Sequence, residues 1–461
     1  MALKETNRGE DFVASTIHAQ WSSRTAFILA AVGSAVGLGN IWKFPYEAGQ
    51  GGGGAFVLVY LAFVFLIGTP LLVAELSLGR RGQLSPIRSM EKIAKEEGRT
   101  NWWSLIGWSG VVGAFIVISF YSVVGGWTIS YIVDAFSGSM TDVTGDMATN
   151  NFVSLISDPY MPLIWHAIFM SLTMFIVMRG VKGGLEKAVT FLMPALFVLL
   201  IGLVIYSGVT GDFKAAIDFL FVPDWSEMNA DVALEALGQS FFSLSLALGS
   251  IMVYGSYLSH DINIGKASVI IAGADSAVAL LAGLAIFPIV FAYNLEPNAS
   301  AGLVFMTLPI AFGQMTGGAI IGGMFFLLLT VAAITSSISL MEPAVSYLDD
   351  TGKVNRKKAA IIIGVGAFAL GSLSSLSQGV LSDVTIFGKG IMDAKDYLTN
   401  NIMMPLGGLF TALFVGWFVT RKAMMDELAI SEPWFRIWYF MIRFVCPLAV
   451  AAVFYNVVFG F

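Results

Sequence analysis

The chain has 461 residues, 57% of them hydrophobic and 12% charged, with a net charge of −6 and a mean hydropathy of +0.79. A soluble domain carries about 25% charged residues, so a water-soluble globule is excluded and a polytopic membrane domain is indicated. The single cysteine excludes an internal disulfide and a cysteine metal cluster, and the chain carries no nucleic-acid motif, phosphate loop or low-complexity tract.

A helix needs about 20 mostly apolar residues to span a bilayer. Windows of that length fall at 25–51, 55–79, 104–135, 161–178, 188–208, 234–258, 267–293, 317–348, 357–376, 390–418 and 433–459. These about eleven transmembrane helices read as one all-α domain spanning 1–461, preceded by a polar cytoplasmic segment, 1–23, with no signal-peptide core. With the N-terminus in the cytoplasm, roughly twenty of the 25 basic residues lie in or beside cytoplasmic segments. The loop from Arg80 to Arg99 alone holds Arg80, Arg81, Arg88, Lys92, Lys95 and Arg99. An odd number of spans leaves the C-terminus outside. The Asp-rich stretches 134–158 and 212–235 read as solvated outer loops, and Cys446 as a buried structural thiol.

Within the first window, GSAVGLGNIWKFP (33–45) puts glycines, an asparagine, a lysine and a proline where a plain helix wants none. A break facing lipid would strand backbone groups at several kcal/mol each, so this one must be buried or line a cavity. Gly33 and Gly37 also form a G-x-x-x-G face that admits a close helix neighbour. The sixth window carries QSFFSLSLALGS (239–250), with hydroxyls and a glycine at mid-membrane. Two interrupted segments in matching positions, five windows apart, point to an inverted repeat with a midplane site. The halves are 24–208 and 234–418, and 433–461 is an eleventh helix. Unwinding frees carbonyls for a cation and half-helix amides for an anion, which suits a molecule with both an amine and a carboxylate.

W-S-S-R (21–24), G-S-A-V-G-L-G-N-I-W-K-F-P (33–45), G-G-G-A-F (52–56), S-F-Y-S-V-V-G-G-W (119–127), G-Q-S-F-F-S-L-S-L (238–246) and T-S-S-I-S-L-M-E-P (335–343) together carry a resemblance. The chain resembles the neurotransmitter:sodium symporter family, of leucine-transporter-type fold, from Trp21 to about Val458. The resemblance implies two sodium ions. The first would be held by the Ala35 carbonyl, Asn40, Ser243, Asp275 and the substrate carboxylate, the second by the Gly33, Val36 and Ala332 carbonyls with the Thr335 and Ser336 hydroxyls. Oxygen-only ligands suit a hard cation. Membrane-helix hydroxyls such as those of Thr335 and Ser336 also bond back to their own helix.

Monoamine-carrying relatives have an aspartate where this chain has Gly37, so the substrate is expected to bring its own carboxylate. That carboxylate would meet the Leu38 and Gly39 amides and the Tyr121 hydroxyl; the amine would meet carbonyls near Ala35, Phe242 and Ser243 and the Ser245 hydroxyl. The pocket implied for the side chain (Val117, Tyr121, Phe242, Ser245, Ala247, Leu248, Ser336, Leu340) has no ionisable group except the Tyr121 phenol. Burying a charge there unpaired is costly, so a neutral, largely apolar amino acid is expected, with another small zwitterion such as a non-α amino acid as the alternative. Ala247, where many relatives have glycine, would shrink the pocket; Leu248, where an aromatic stands in the leucine carrier, would enlarge it.

Asp275 is an acid deep in the seventh window, expensive there and a functional candidate by default. With Ala279 where chloride-dependent relatives have serine, it is expected to supply the negative charge that chloride supplies elsewhere. The resemblance implies an outer gate of Lys43 facing Asp396, with Phe242 and Tyr121 as lid, and an inner gate of Trp21, Ser256, Tyr257 and Asp350. The family's inner arginine is replaced by position by His18: either His18 or Arg24 takes part or the network differs, and a solvated tail histidine is the plainer reading of His18. Glu75 is expected to pair with Arg80 or Arg81. His166, the one histidine in a membrane window, has no serine or acid beside it in sequence, which argues against an intramembrane enzyme. A bacterial cytoplasmic-membrane transporter is the expected whole.

Overall fold

The computed structural model describes residues 20–296, 303–315 and 317–459; His18 lies outside the described residues. In chain order the helices are α1 (Arg24–Ala35) and α2 (Gly39–Gln50), α3 (Gly54–Gly82), α4 (Pro86–Glu96), α5 (Asn101–Ser137), α6 (Gly145–Ser157) and α7 (Met161–Val177). α8 (Val181–Thr210), α9 (Phe213–Phe221), α10 (Ala230–Ser243), α11 (Ser250–Ser256), α12 (Ile264–Ala292) and α13 (Val304–Gln314) follow. The chain continues through α14 (Gly318–Asp350), α15 (Arg356–Leu376), a two-stranded hairpin of β1 (Thr385–Ile386) and β2 (Lys389–Gly390), α16 (Ile391–Phe418), α17 (Arg421–Leu428) and α18 (Glu432–Ala452).

Among the described residues, eight helices are long and apolar enough to cross a membrane, or ten if the bent pairs α1–α2 (49°) and α6–α7 (73°) each count as one span. The remaining window, 234–258, holds α10 and α11 with residues 244–249 between them. Helices thus occupy every window read from hydropathy. The acidic stretches read as loops are not wholly loops: α6 and α9 lie in them, started by the Thr144 and Asp212 side chains, which accept from the Met147 and Ala215 amides.

α5 and α14 form the central pair, with α1, α7, α8 and α15 around them. α3 and α11 approach so closely that a side chain on Gly79 would come within 1.9 Å of the Met252 carbonyl oxygen, and one on Gly255 within 2.6 Å of that of Leu76. Cys446 is buried, as expected. Pro194 and Pro288 sit inside α8 and α12, and the Pro288 carbonyl accepts from the Asp212 amide at 2.9 Å.

Ion pairs centred on Arg80, Arg81 and Arg356 tie elements of the bundle together. Arg80 is buried and donates from Nε to Glu427 at 2.5 Å, from Nη1 to the Ile262 carbonyl at 2.6 Å, and from Nη2 to the Glu427 carbonyl. Arg81 pairs with Glu96 and Glu97. The expected pairing of Glu75 with either arginine is therefore corrected. At about 100° per residue, Arg80 lies roughly 140° around the helix from Glu75, and Arg81 points away from it too. The last of these is bidentate: Arg356 donates to fully buried Glu342 at 2.8 Å and 2.6 Å, and Tyr257 donates to the same carboxylate at 2.6 Å.

Removing one member of a buried pair strands the other charge, at roughly 3 kcal/mol or more. Arg356→Leu is expected to lower the thermal unfolding midpoint in detergent clearly more than the double variant Arg356→Leu/Glu342→Leu. Equal losses would mean that the pair is not a desolvated unit.

Candidate functional site

The first helix stops because its backbone turns extended at Val36 and resumes at Gly39 in a wider, π-helical turn. Several of the freed groups have partners. The Gly37 amide donates to the Asn40 side-chain oxygen at 3.0 Å and the Leu38 amide to the Tyr121 hydroxyl at 3.2 Å. The Val36 carbonyl accepts from Ser336 at 3.1 Å, the Ser34 carbonyl from Ser245 at 2.9 Å, and the Gly39 carbonyl from Gln239 at 2.7 Å.

The second break is built differently. Ser245 (φ 52°), Ala247 (φ 62°) and Gly249 (φ 73°) all take the left-handed conformation, disfavoured for the first two. The Glu75 carboxylate accepts from the Ala247 amide at 2.6 Å, across from α3, and Ser250 donates to the Ser339 carbonyl at 2.9 Å. Glu75 is thus a helix-break cap, not an ion-pair partner.

Between the two breaks lies a buried polar knot around Asp275, which is fully buried on α12. Asn40 donates to its Oδ1 at 2.7 Å, Ser243 to its Oδ2 at 2.5 Å, and Tyr60 to its Oδ2 at 3.3 Å. Asn40 also donates to Ser243 at 3.0 Å. Three of the four residues expected at the first ion site are therefore in mutual contact, while Ala35 lines the cavity beside them. At the second expected site, Ser336 reaches the Val36 and Gly33 carbonyls at 3.1 Å and 3.5 Å. Thr335 bonds back to the Ala332 carbonyl at 3.0 Å, and a side chain on Gly33 would lie 3.4 Å from its Cβ. No group of three or more His, Cys, Asp or Glu suited to a transition metal occurs among the described residues.

A cavity opens beside both clusters, lined by Ser34, Ala35, Gly37, Gly39, Val117, Tyr121, Phe242, Ser245, Leu248, Ser336 and Leu340. Most of the residues expected in the pocket are there. Leu38 and Ser243 lie just outside it, contributing to the breaks themselves. Ala247 is a correction: it does not line the cavity, because its left-handed backbone turns the methyl toward Gly407 of α16, where an added side chain would meet it at 2.8 Å. Gly37 has no room for a side chain, since a Cβ would lie 2.4 Å from the Ser336 hydroxyl and 2.8 Å from that of Tyr121.

Tyr121 and Phe242 separate this cavity from an outer one lined by Trp42, Lys43, Met392, Asp393 and Asp396. Lys43 and Asp396 share this outer cavity but hold other partners: Lys43 pairs with Glu47 at 3.4 Å and lies 5.1 Å over the Phe242 ring, while Asp396 accepts from Asn400 at 2.6 Å. At the opposite end Trp21 is buried, donating through its indole to the Tyr254 carbonyl at 3.2 Å and packing edge-on against Tyr254 and Tyr257. Ser256 bonds back to Val253 in its own helix, and Asp350 accepts from the Ser85 amide at 2.6 Å. Of the four expected inner-gate residues, direct contact joins Trp21 to Tyr257. Arg24, the other residue expected in that gate, begins α1.

Sequence reasoning missed four members. Tyr60 looks like any tyrosine in an apolar run. Gln239 and Glu342 sit inside motifs that were quoted without a role, and Arg356 begins a helix more than a dozen residues away from its partner. His166 does meet a serine in space, Ser122 at 2.9 Å. Ser122 itself donates to the Ile118 carbonyl at 2.6 Å, and the other ring nitrogen has no partner among the described residues, so no nucleophile–base–acid relay is formed by them.

The sequence matches the model of the Sodium:neurotransmitter symporter family over residues 18–159 and 153–461. It is 39% identical to the uncharacterized sodium-dependent transporter YhdH of Bacillus subtilis, over 95% of this chain and 97% of that one. It is 25% identical to the sodium-dependent nutrient amino acid transporter 1 of Drosophila grimshawi, over 90% of this chain and 72% of that one. Among solved structures, the crystal structure of MhsT in complex with L-phenylalanine superimposes with a TM-score of 0.89 at 44% identity, over 95% of this chain and all of that one.

The Glu75 contact gives a direct prediction. Glu75→Leu leaves a buried amide unpaired and is expected to cost about 1–3 kcal/mol, read as a lower thermal midpoint. Glu75→Gln keeps an acceptor and is expected to recover most of it.

Proposed function

The chain belongs to the sodium:neurotransmitter symporter family, and on that premise we propose that it carries a neutral, largely apolar amino acid into the cell together with sodium, without chloride. The family is one of transporters, and sodium dependence is the property its bacterial relatives are named for. The observation that carries the substrate reading is Gly37. It offers no carboxylate, and Ser336 and Tyr121 close the space where one would stand. A cation beside Ala35 and Asn40 then lacks an acid on that side, which the substrate's carboxylate supplies. The Leu38 and Gly39 amides and the Tyr121 hydroxyl would receive it; the Ser245 hydroxyl and nearby carbonyls would receive the amine.

The apolar wall of Val117, Phe242, Leu248 and Leu340 supports an uncharged side chain. Ala247 does not narrow that wall, and a relative of 44% identity has been crystallised with L-phenylalanine. Both favour a large apolar or aromatic substrate over a small aliphatic one. Asp275 would hold the first sodium with Asn40 and Ser243, and Thr335 and Ser336 the second with the Gly33, Val36 and Ala332 carbonyls. A fixed carboxylate at Asp275 does the electrostatic work of a chloride ion. Lys43 and Asp396 would close the outer side, Trp21 and Tyr257 the inner one, as the halves 24–208 and 234–418 rock about the site. The basic loop after α3 supports a cytoplasmic placement of that face in a bacterial inner membrane, with the C-terminus outside.

Since ion and substrate share ligands, each must tighten the other. Radiolabelled uptake into proteoliposomes is expected to need a sodium gradient and to be competed best by phenylalanine, tryptophan or leucine. No sodium-dependent uptake of any neutral amino acid would overturn the substrate class. Replacing chloride by gluconate is expected to leave uptake within twofold, and a tenfold fall would overturn chloride independence. Asp275→Asn is expected to raise the sodium concentration for half-maximal uptake tenfold or more.

A further inference from the structure

The loop between α3 and α5 holds a feature that the transport cycle does not use. α4 is strongly two-sided. Ile87, Met90, Ile93 and Ala94 are buried against the bundle, while Arg88, Lys92 and Lys95 follow one another along the opposite face, at spacings of four and three residues. Arg99 continues the stripe past the helix end, where Gly98 turns left-handed and the Arg99 amide folds back onto the Ala94 carbonyl at 2.7 Å. These four cations, with Leu84, Glu91 and Asn101, line one open cavity.

A run of charge is ordinarily a solvated face, but three observations set this one apart. Its acids are turned elsewhere: Glu96 and Glu97 are taken up by Arg81, and Glu97 also accepts from the Thr420 amide. Among the described residues, Glu91 is the one acid that lines the cavity with the four cations. Two of the cations are anchored at its walls, Lys92 to the Gly82 carbonyl at 3.2 Å and Arg99 to the Phe418 carbonyl at 3.1 Å. Arg88 and Lys95 have no hydrogen-bond or ion-pair partner among the described residues. Finally, the cavity adjoins apolar side chains that face outward from the start of the next span: Trp102 is 77% exposed and Leu105 53%, with Trp108 and Val112 continuing the same face of α5. Interfacial tryptophan beside an apolar helix face is how a membrane boundary is marked. A basic pocket at that level meets the phosphates of lipids.

We propose that the α4 cavity binds the headgroup of an anionic phospholipid, with Arg88 and Lys95 on its phosphate and the acyl chains along Trp102 and Leu105. The site lies apart from the substrate cavity. The N-terminal turn of α4 also touches the transport machinery, since the Ser85 amide donates to Asp350 and a side chain on Gly249, in the second break, would lie 3.1 Å from Pro86.

The test uses the full chain in vesicles of phosphatidylcholine and phosphatidylglycerol, with one lipid at a time carrying bromine on its acyl chains. Quenching that disappears in Trp102→Phe isolates the signal of Trp102. The expected result is a preference of at least fivefold for phosphatidylglycerol over phosphatidylcholine at that residue. It should fall below twofold in Arg88→Gln/Lys95→Gln, and already by half or more in the exposed single variant Lys95→Gln. Lys357→Gln/Lys358→Gln, which removes two exposed lysines at the start of α15, should leave it unchanged. Equal preference in the wild type and in both α4 variants overturns the proposal. So does loss of the preference on adding inorganic phosphate on both sides, which would mean a soluble anion site. A preference seen only after deletion of residues 1–19 would mean that the chain's own N-terminal stretch fills the cavity, and would overturn it equally.

Discussion

The structure depends on a single constraint, the need to satisfy backbone groups released where two helices break inside a membrane. Hydrocarbon offers no hydrogen-bond partner, so each group left open costs several kcal/mol. Here the partners come from other elements: Tyr121 from α5, Gln239 from α10, Ser336 from α14, Glu75 from α3, and Ser245 from the opposite break. Each such bond also fixes the position of the helix that supplies it. The close α3–α11 approach at Gly79 and Gly255 then places Glu75 within reach of the second break. The bundle is arranged around the breaks, and the cavity is the space that this arrangement leaves.

Much of this was legible in the chain. The glycines and Asn40 in the first window, and the hydroxyls of 239–250 in the sixth, announce breaks because a plain membrane helix has no use for them. Tyr121 and Ser336 follow from the motifs around them, and Asp275 from being an acid deep in an apolar window. Other residues were illegible for physical reasons. Tyr60 lies in an apolar run that would carry a core or interfacial tyrosine equally well. Glu75 sits near two arginines in sequence, yet helical geometry turns it away from both. Ala247 was read as a wall of the pocket, a reading that assumes ordinary backbone; its positive φ aims the methyl at α16 instead. Glu342 and Arg356 belong to different helices, and only the turn between α14 and α15 brings them face to face.

Three buried acids, Glu75, Asp275 and Glu342, show why burial alone does not mark function. Glu342 is matched by a guanidinium and a phenol, a closed pair that locks α14 to α15. Glu75 spends one oxygen on a backbone amide. Asp275, like Glu75, meets no positive charge, but it differs from both in its partners, an amide, a hydroxyl and a phenol converging from three separate helices. On the proposed function, a carboxylate so placed would be neutralised by a proton or by a cation that comes and goes. Side chains that converge without cancelling the charge are the arrangement a transient ion requires.

The same contacts suggest how an ion and an amino acid would be linked. Asn40 donates to Asp275 and Ser243 through its nitrogen, while its oxygen holds the Gly37 amide, at the floor of the cavity. Ser243 bonds Asp275 and is the last residue of α10, immediately before the left-handed turns that carry Ser245. A sodium ion drawing the Asn40 and Ser243 oxygens toward Asp275 would break those bonds and reset both breaks together. The Leu38 and Gly39 amides lie one and two residues beyond Gly37, so the carboxylate-binding end of the cavity would move with the ion. On the proposed function, coupling then needs no long-range relay, because ion and substrate act on the same few residues of unwound backbone.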